Sequence, residues 1–166
     1  GYAQKSLTIL SECEAHSKAS EALLPFILSY KASAMALVAA ETFKLSLIGK
    51  SFKLFESAIQ KYGAIHYLPE FMRGSVAENL PWFYFSKRAL AKIDFENIIR
   101  KEAQNPEYAS WKIMSFVYWA WAKQHPQRKY RVQAIAYLQK AIELDPHYLA
   151  GRKRSEELLS QFTIDN

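Results

Sequence analysis

The stretch A-I-A-Y-L-Q-K-A-I-E-L-D-P, residues 134–146, decides the fold. Ala134, Leu138 and Ala141 stand at relative positions 0, +4 and +7, so they share one face of a helix, and Pro146 at +12 stops it. The same spacing recurs earlier in the chain. Ser51, Phe55, Ala58 and Gly63 reproduce it with glycine in the place of the proline, and Ala91, Phe95 and Ile98 form a third copy, followed by Asn105-Pro106. The anchors Phe55, Phe95 and Leu138 are 40 and 43 residues apart. Self-similarity at a period of this size is the mark of helical hairpins stacked side by side.

Composition agrees with an all-α class. A chain of 166 residues, half of them apolar, buries enough surface for one domain with its own core. Its five glycines and six prolines are spread widely, as breakers between helices are. The single cysteine, Cys13, excludes an internal disulfide. Net charge is +6, diffuse apart from Arg128, Lys129, Arg131 and Arg152, Lys153, Arg154. Basic clusters of this size suit helix C-terminal ends, and no nucleic-acid motif accompanies them. The longest uncharged runs, 22–30 and 32–40, are interrupted by Lys31 and Glu41 and fall short of the roughly 20 apolar residues that cross a bilayer. No integral membrane segment is expected. Gly1 stands where an initiator Met would, and Tyr2-Ala3-Gln4 fits what remains around a removed export signal. That reading places the protein in the periplasm or outside the cell; without it the compartment is the cytoplasm.

Apolar periodicity predicts a first helix over 5–24 and a second, long one over 26–48, closed by Gly49. The repeated faces predict helices over 51–63, 91–104 and 134–146. Residues 111–123 and 70–80 supply the helices that precede the last two. Residues 147–162, with Leu149, Leu158, Leu159 and Phe162 on one side and charges on the other, read as a polar cap.

The 0, +4, +7, +12 pattern resembles the second helix of a tetratricopeptide (TPR) repeat. The resemblance extends to Tyr118, Trp121, Ala122 and His125, which fall where a TPR first helix holds a large aromatic, a large apolar, a small and an aromatic residue. Ala39 takes the small place in the first hairpin. The match is good over 115–146, passable over 32–63, and confined to the second helix over 72–105. It implies a right-handed α-α superhelix of about three hairpins, over roughly 26–63, 69–104 and 107–146, with an N-terminal helix and a cap at 147–162, all within one domain. It also implies a concave groove that binds extended peptides, into which Phe116, Trp119 and Lys123 would point.

A second candidate surface is R-G-S-V-A-E-N-L-P-W-F-Y-F-S-K-R, residues 73–88. Arg73, Glu78 and Asn79 are polar groups in an otherwise apolar helix, and Trp82 opens a run of four aromatics. Arginine with exposed aromatics is the usual anchor set of an interface. The plainer alternative is that Arg73 and Glu78 pair with each other or with a neighbouring helix end, and that the aromatics lock the middle hairpin.

Glycine-rich phosphate loops, G-x-S-x-G and H-E-x-x-H are all missing from the sequence. Glu12, Cys13 and His16 can cluster on one helix, but a metal site needs further ligands that the sequence does not offer nearby. The expectation is therefore a non-catalytic protein- or peptide-binding scaffold, without metal or cofactor. Trp119 and Phe116 would anchor the ligand, Lys123 and Arg73 clamp carboxylate or carbonyl, and Asn79 read the backbone. The alternatives are a small-molecule or lipid carrier with an aromatic-lined pocket, and a basic nucleic-acid-binding helical domain.

Overall fold

The computed structural model describes residues 1–16 and 21–164; within them every regular element is helical. There are eight helices of twelve or more residues and one single-turn helix among the described residues. The chain divides into two compact units, residues 1–94 and 95–166.

In the first unit α1 spans Tyr2–His16, α2 Leu24–Thr42, α3 Ser46–Tyr62 and α4 Leu68–Asn79. A 3₁₀ turn, Trp82–Tyr84, leads into the short α5, Phe85–Arg88, and then α6, Leu90–Gln104. The expected first helix over 5–24 stops earlier than its periodicity suggested, and the part of it that includes Ala19 lies outside the described residues. Pro25 and Pro69 sit in the first turns of α2 and α4, where a missing N–H costs nothing. Helix α2 packs against α1, α3 and α4. Its Ala32, Ala36 and Ala39 are buried, which lets these neighbours come close. An 18-residue stretch within Glu21–Thr42, with a mean hydropathy of 1.6, makes that segment long and apolar enough to cross a bilayer by length and composition. Half of that stretch is buried in the unit, as in a core helix.

The expected single helix over 26–48 is two. Thr42 returns its hydroxyl to Val38 O (2.6 Å), and Phe43 then takes a left-handed conformation, φ 55° and ψ 21°, that ends α2. Gly49 lies inside α3 instead of closing anything. Periodicity ran through the turn because Leu45 and Ile48, beyond it, face the same apolar space as the end of α2. On α3 the predicted face holds: Ser51, Phe55 and Ala58 are fully buried, and Ser51 Oγ donates to Ala32 O at 2.7 Å.

The second unit contains the later part of α6, α7 (Trp111–Gln124), a 3₁₀ turn (Arg128–Tyr130), α8 (Arg131–Leu144) and α9 (Arg152–Ile164). Helices α7 and α8 form a hairpin, and α9 leans on both. Ala122, Ala134, Leu138 and Ala141 are fully buried along the hairpin seam, where Ser115 Oγ donates to Ala141 O at 3.0 Å. Tyr118 and Trp121 lie against Tyr137, with ring centroids 5.0 and 4.8 Å away.

The expected cap over 147–162 begins as a helix only at Arg152. Before it, Tyr148 (φ 57°) and Gly151 (φ 102°) turn the chain through left-handed conformations. Asp145, fully buried, holds this turn by accepting from the backbone N–H groups of Leu149 (2.6 Å), Ala150 (2.8 Å) and Arg152 (2.9 Å). Burial pushes its carboxyl up, but these donors outweigh burial and hold it below the usual carboxylate range.

Candidate functional site

In the first unit a cleft of about 640 Å³ is lined by residues of helices α2 and α4 and of the turns that follow them. Leu37 and Ala40 line it from α2, Met72 and Val76 from α4, Phe43 and Leu45 from the turn between α2 and α3, and Ile48 from the start of α3. The Trp82–Tyr84 turn closes the far side with Phe83 and Tyr84. Helix α4 can lead into that turn because Leu80 is extended and Pro81 follows, so the helix stops after Asn79. Arg88 then fixes the exit: its Nη1 donates to the carbonyls of Glu78 (3.0 Å) and Leu80 at the C-terminal end of α4.

The cleft, and the turn and short helix that follow α4, carry exposed apolar side chains. Phe43 is 85% exposed, Trp82 82% and Phe85 76%, and Leu37, Leu45 and Phe83 are more than half exposed. Phe43 combines exposure with a left-handed backbone, a conformation that costs a non-glycine residue about 1–2 kcal/mol. Strain of this kind collects where a side chain must be presented. Few polar groups enter the cleft. Ser75 Oγ is buried and makes no hydrogen bond in the fold, and Asn79 Nδ2 donates to Ser75 O at 2.8 Å. Among the described residues the lining contains no carboxylate, imidazole or cation, so this site suits apolar groups with one or two polar atoms.

The residues singled out from sequence fall into three places. Asn79 lines the cleft and Trp82 stands beside it, its ring centroid 6.0 Å from that of Phe83. Glu78 is half-buried near the end of α4. Arg73 points elsewhere, into a buried ionic cluster. Its Nε and Nη2 donate to both oxygens of Asp94 (2.9 and 2.7 Å), and its Nη1 donates to Glu56. Glu70 is buried nearby. Burial, reinforced by the charges of Glu70 and Glu56, pushes Asp94 up to about 6 against the pull of Arg73.

Phe116, Trp119 and Lys123 belong to the second unit and do come together. The rings of Phe116 and Trp119 are 5.5 Å apart, and Lys123 Nζ stands 5.0 Å from the Trp119 centroid. Arg154 of α9 lies over both aromatics, at 4.7 and 4.6 Å. Their faces are thus covered from within the unit by cation–π contact.

Sequence reasoning missed Phe43, Leu37, Val76 and Ser75. The signal that could have found Leu37 is the apolar character of α2 all round, more than one hairpin partner covers. No protein-family model matches the chain, and no curated protein and no solved structure matches it.

Proposed function

We propose that the chain is a non-catalytic binding module, a degenerate TPR-like helical repeat whose first unit takes an apolar segment of a partner polypeptide in the α2–α4 cleft. The observation that carries this reading is the open 640 Å³ apolar cleft lined by the exposed Leu37, Phe43, Leu45 and Phe83. Trp82 and Phe85, in the turn and short helix that follow, are exposed as well, and exposed apolar side chains in number mark interaction surfaces. Aromatics of this kind carry most of the energy of protein interfaces. The repeat part of the reading is supported by the burial of all nine spaced positions, from Ser51 through Ile98 to Ala141. It is supported further by α4 and α9, each of which leans on both helices of a preceding hairpin.

Leu37→Asp tests the site, because Leu37 is exposed and its replacement leaves the core intact. Peptides selected from a random display library on the unaltered protein are expected to be rich in apolar residues. They should bind Leu37→Asp at least tenfold more weakly, the loss typical of one central interface residue. Equal affinity for both proteins overturns the assignment. A second reading, a carrier of one small apolar molecule, is favoured by Ser75 Oγ, a buried polar atom of the lining that makes no hydrogen bond in the fold. A co-purifying ligand seen by native mass spectrometry, and lost in Ser75→Val, selects it.

Phe43→Gly separates a presented side chain from a merely tolerated one. Glycine relieves the left-handed strain, so the variant is expected to be more stable by about 0.5–1 kcal/mol in urea unfolding. The same variant should bind the selected peptides several-fold more weakly. A variant less stable than its parent shows that Phe43 serves the fold.

A further inference from the structure

We infer that the first unit also docks on a lipid surface carrying anionic headgroups, through an aromatic wedge built on two neighbouring turns. Phe43 and Leu45 belong to the turn between α2 and α3, and Trp82, Phe83 and Phe85 to the 3₁₀ turn and α5 that follow α4. Residues of both turns line the one cleft, which places the turns side by side. Phe43, Trp82 and Phe85 are each more than three-quarters exposed, and Leu45 and Phe83 more than half. The left-handed backbone at Phe43 holds that ring out at some conformational cost. Apolar side chains scattered singly are ordinary on a surface; five gathered on adjacent turns mark a place that something covers.

The charges say what covers it. Residues 43–55 carry Lys44, Lys50 and Lys53 and no carboxylate, and residues 79–93 carry Lys87, Arg88 and Lys92 and none. The acids that border the two stretches are Glu41 and Glu78 before them and Glu56 and Asp94 after them, and Arg73 holds the last two. Six cations thus stand against Glu41 and Glu78. Among the described residues none of the six forms an ion pair. Lys87 rests over the ring of buried Phe52, with Nζ 5.2 Å from its centroid, and Arg88 donates to main-chain carbonyls at the end of α4, contacts that leave both charges in place. These two cations sit back against α3 and α4 while the aromatics of the same stretch are exposed, so an apolar edge lies in front of a basic layer. A bilayer has that order, hydrocarbon behind anionic headgroups, and Trp with Lys and Arg is the composition that suits its interface. A folded partner would need an apolar socket ringed by carboxylates to match it.

Co-sedimentation of the full chain with sucrose-loaded vesicles tests this docking. Phosphatidylcholine vesicles containing phosphatidylserine should bind the chain about tenfold more tightly than phosphatidylcholine alone. Trp82→Ser with Phe85→Ser should weaken that binding about tenfold while circular dichroism stays unchanged, since both side chains are exposed. Val132→Ser, an exposed apolar position of the second unit, should leave it as it was. Lys44→Glu with Lys50→Glu, both exposed, should abolish the preference for phosphatidylserine. Trp82→Phe keeps the wedge apolar, so it should still bind but lose most of the tryptophan quenching by phosphatidylcholine with brominated acyl chains. Equal affinity for the two kinds of vesicle, or a preference that survives the charge reversal, overturns the anionic surface. An equal loss in Val132→Ser, or quenching that persists in Trp82→Phe, overturns the wedge. Absence of vesicle binding overturns the docking altogether. Dimerisation lost in Trp82→Ser with Phe85→Ser, seen by analytical ultracentrifugation, then assigns these aromatics to a second copy of the chain, and weaker binding of the selected peptides by the same variant assigns them to the polypeptide partner.

Discussion

Arg73→Met is expected to destabilise the protein by about 3–5 kcal/mol at pH 7, the range for removing one partner of a buried ion pair. Arg73 is the cation that holds the buried carboxylate of Asp94, with Glu56 and Glu70 close by. Methionine matches its bulk but leaves the Asp94 carboxylate in a poorly hydrated place. Chemical denaturation measures the loss, and a cost below about 1 kcal/mol overturns the assignment, because a solvent-screened pair is worth no more than that. Arg73→Met with Asp94→Leu should recover most of the deficit, since an apolar pair of similar volume replaces a buried ion pair at little cost. The pH dependence of the unaltered protein carries a second signature. Asp94 has a folded value near 6, above the ordinary 3.8, so the native state binds its proton more tightly than the unfolded chain does. Its contribution to stability is complete below pH 4 and is lost as pH rises through 6, a decline of up to about 3 kcal/mol. Asp94→Asn should flatten that slope; an unchanged slope assigns it to another group.

Phe55→Ala is expected to cost about 3–5 kcal/mol, and Leu138→Ala about 2–5. Both side chains are fully enclosed, Phe55 with Phe52 edge-on at 6.1 Å and Leu138 between buried Ala134 and Ala141. Truncation therefore removes an enclosed side chain and leaves a cavity that its surroundings fill only in part. The urea midpoint should fall with the slope unchanged, which marks lost stability and not a looser native state. If either substitution costs less than about 1 kcal/mol, that anchor is not a hairpin spacer and the repeat reading loses a member.

What was legible in the sequence was local. A helical face with a period of 3.6 is written into a few consecutive turns, so Ser51, Phe55, Ala58, Ala91, Phe95, Ile98, Ala134, Leu138 and Ala141 could be picked as buried without knowing their neighbours. The turn at Phe43 was not legible, because no glycine or proline marks it and apolar residues continue beyond it. The Arg73–Asp94 pair joins side chains 21 residues apart, and the sequence offered Glu78 as the nearer partner. The cleft was half legible. Asn79 and Trp82 stood out as polar and aromatic oddities, but a cleft is two helices failing to cover each other, and neither helix carries that information alone.

The connection between α8 and α9 reads as an ordinary loop, the place where natural variation and protein engineering usually insert residues at little cost. The buried Asp145 reverses that expectation. Its two carboxylate oxygens meet N–H groups of residues 149, 150 and 152 in fixed register, with left-handed turns at Tyr148 and Gly151 between them. One residue added between 146 and 149 would move all three donors away from a carboxylate that has no water to turn to. Fusion tags, epitope insertions and circular permutation should therefore be directed away from this link, which is among the least editable joints in the molecule despite containing no helix.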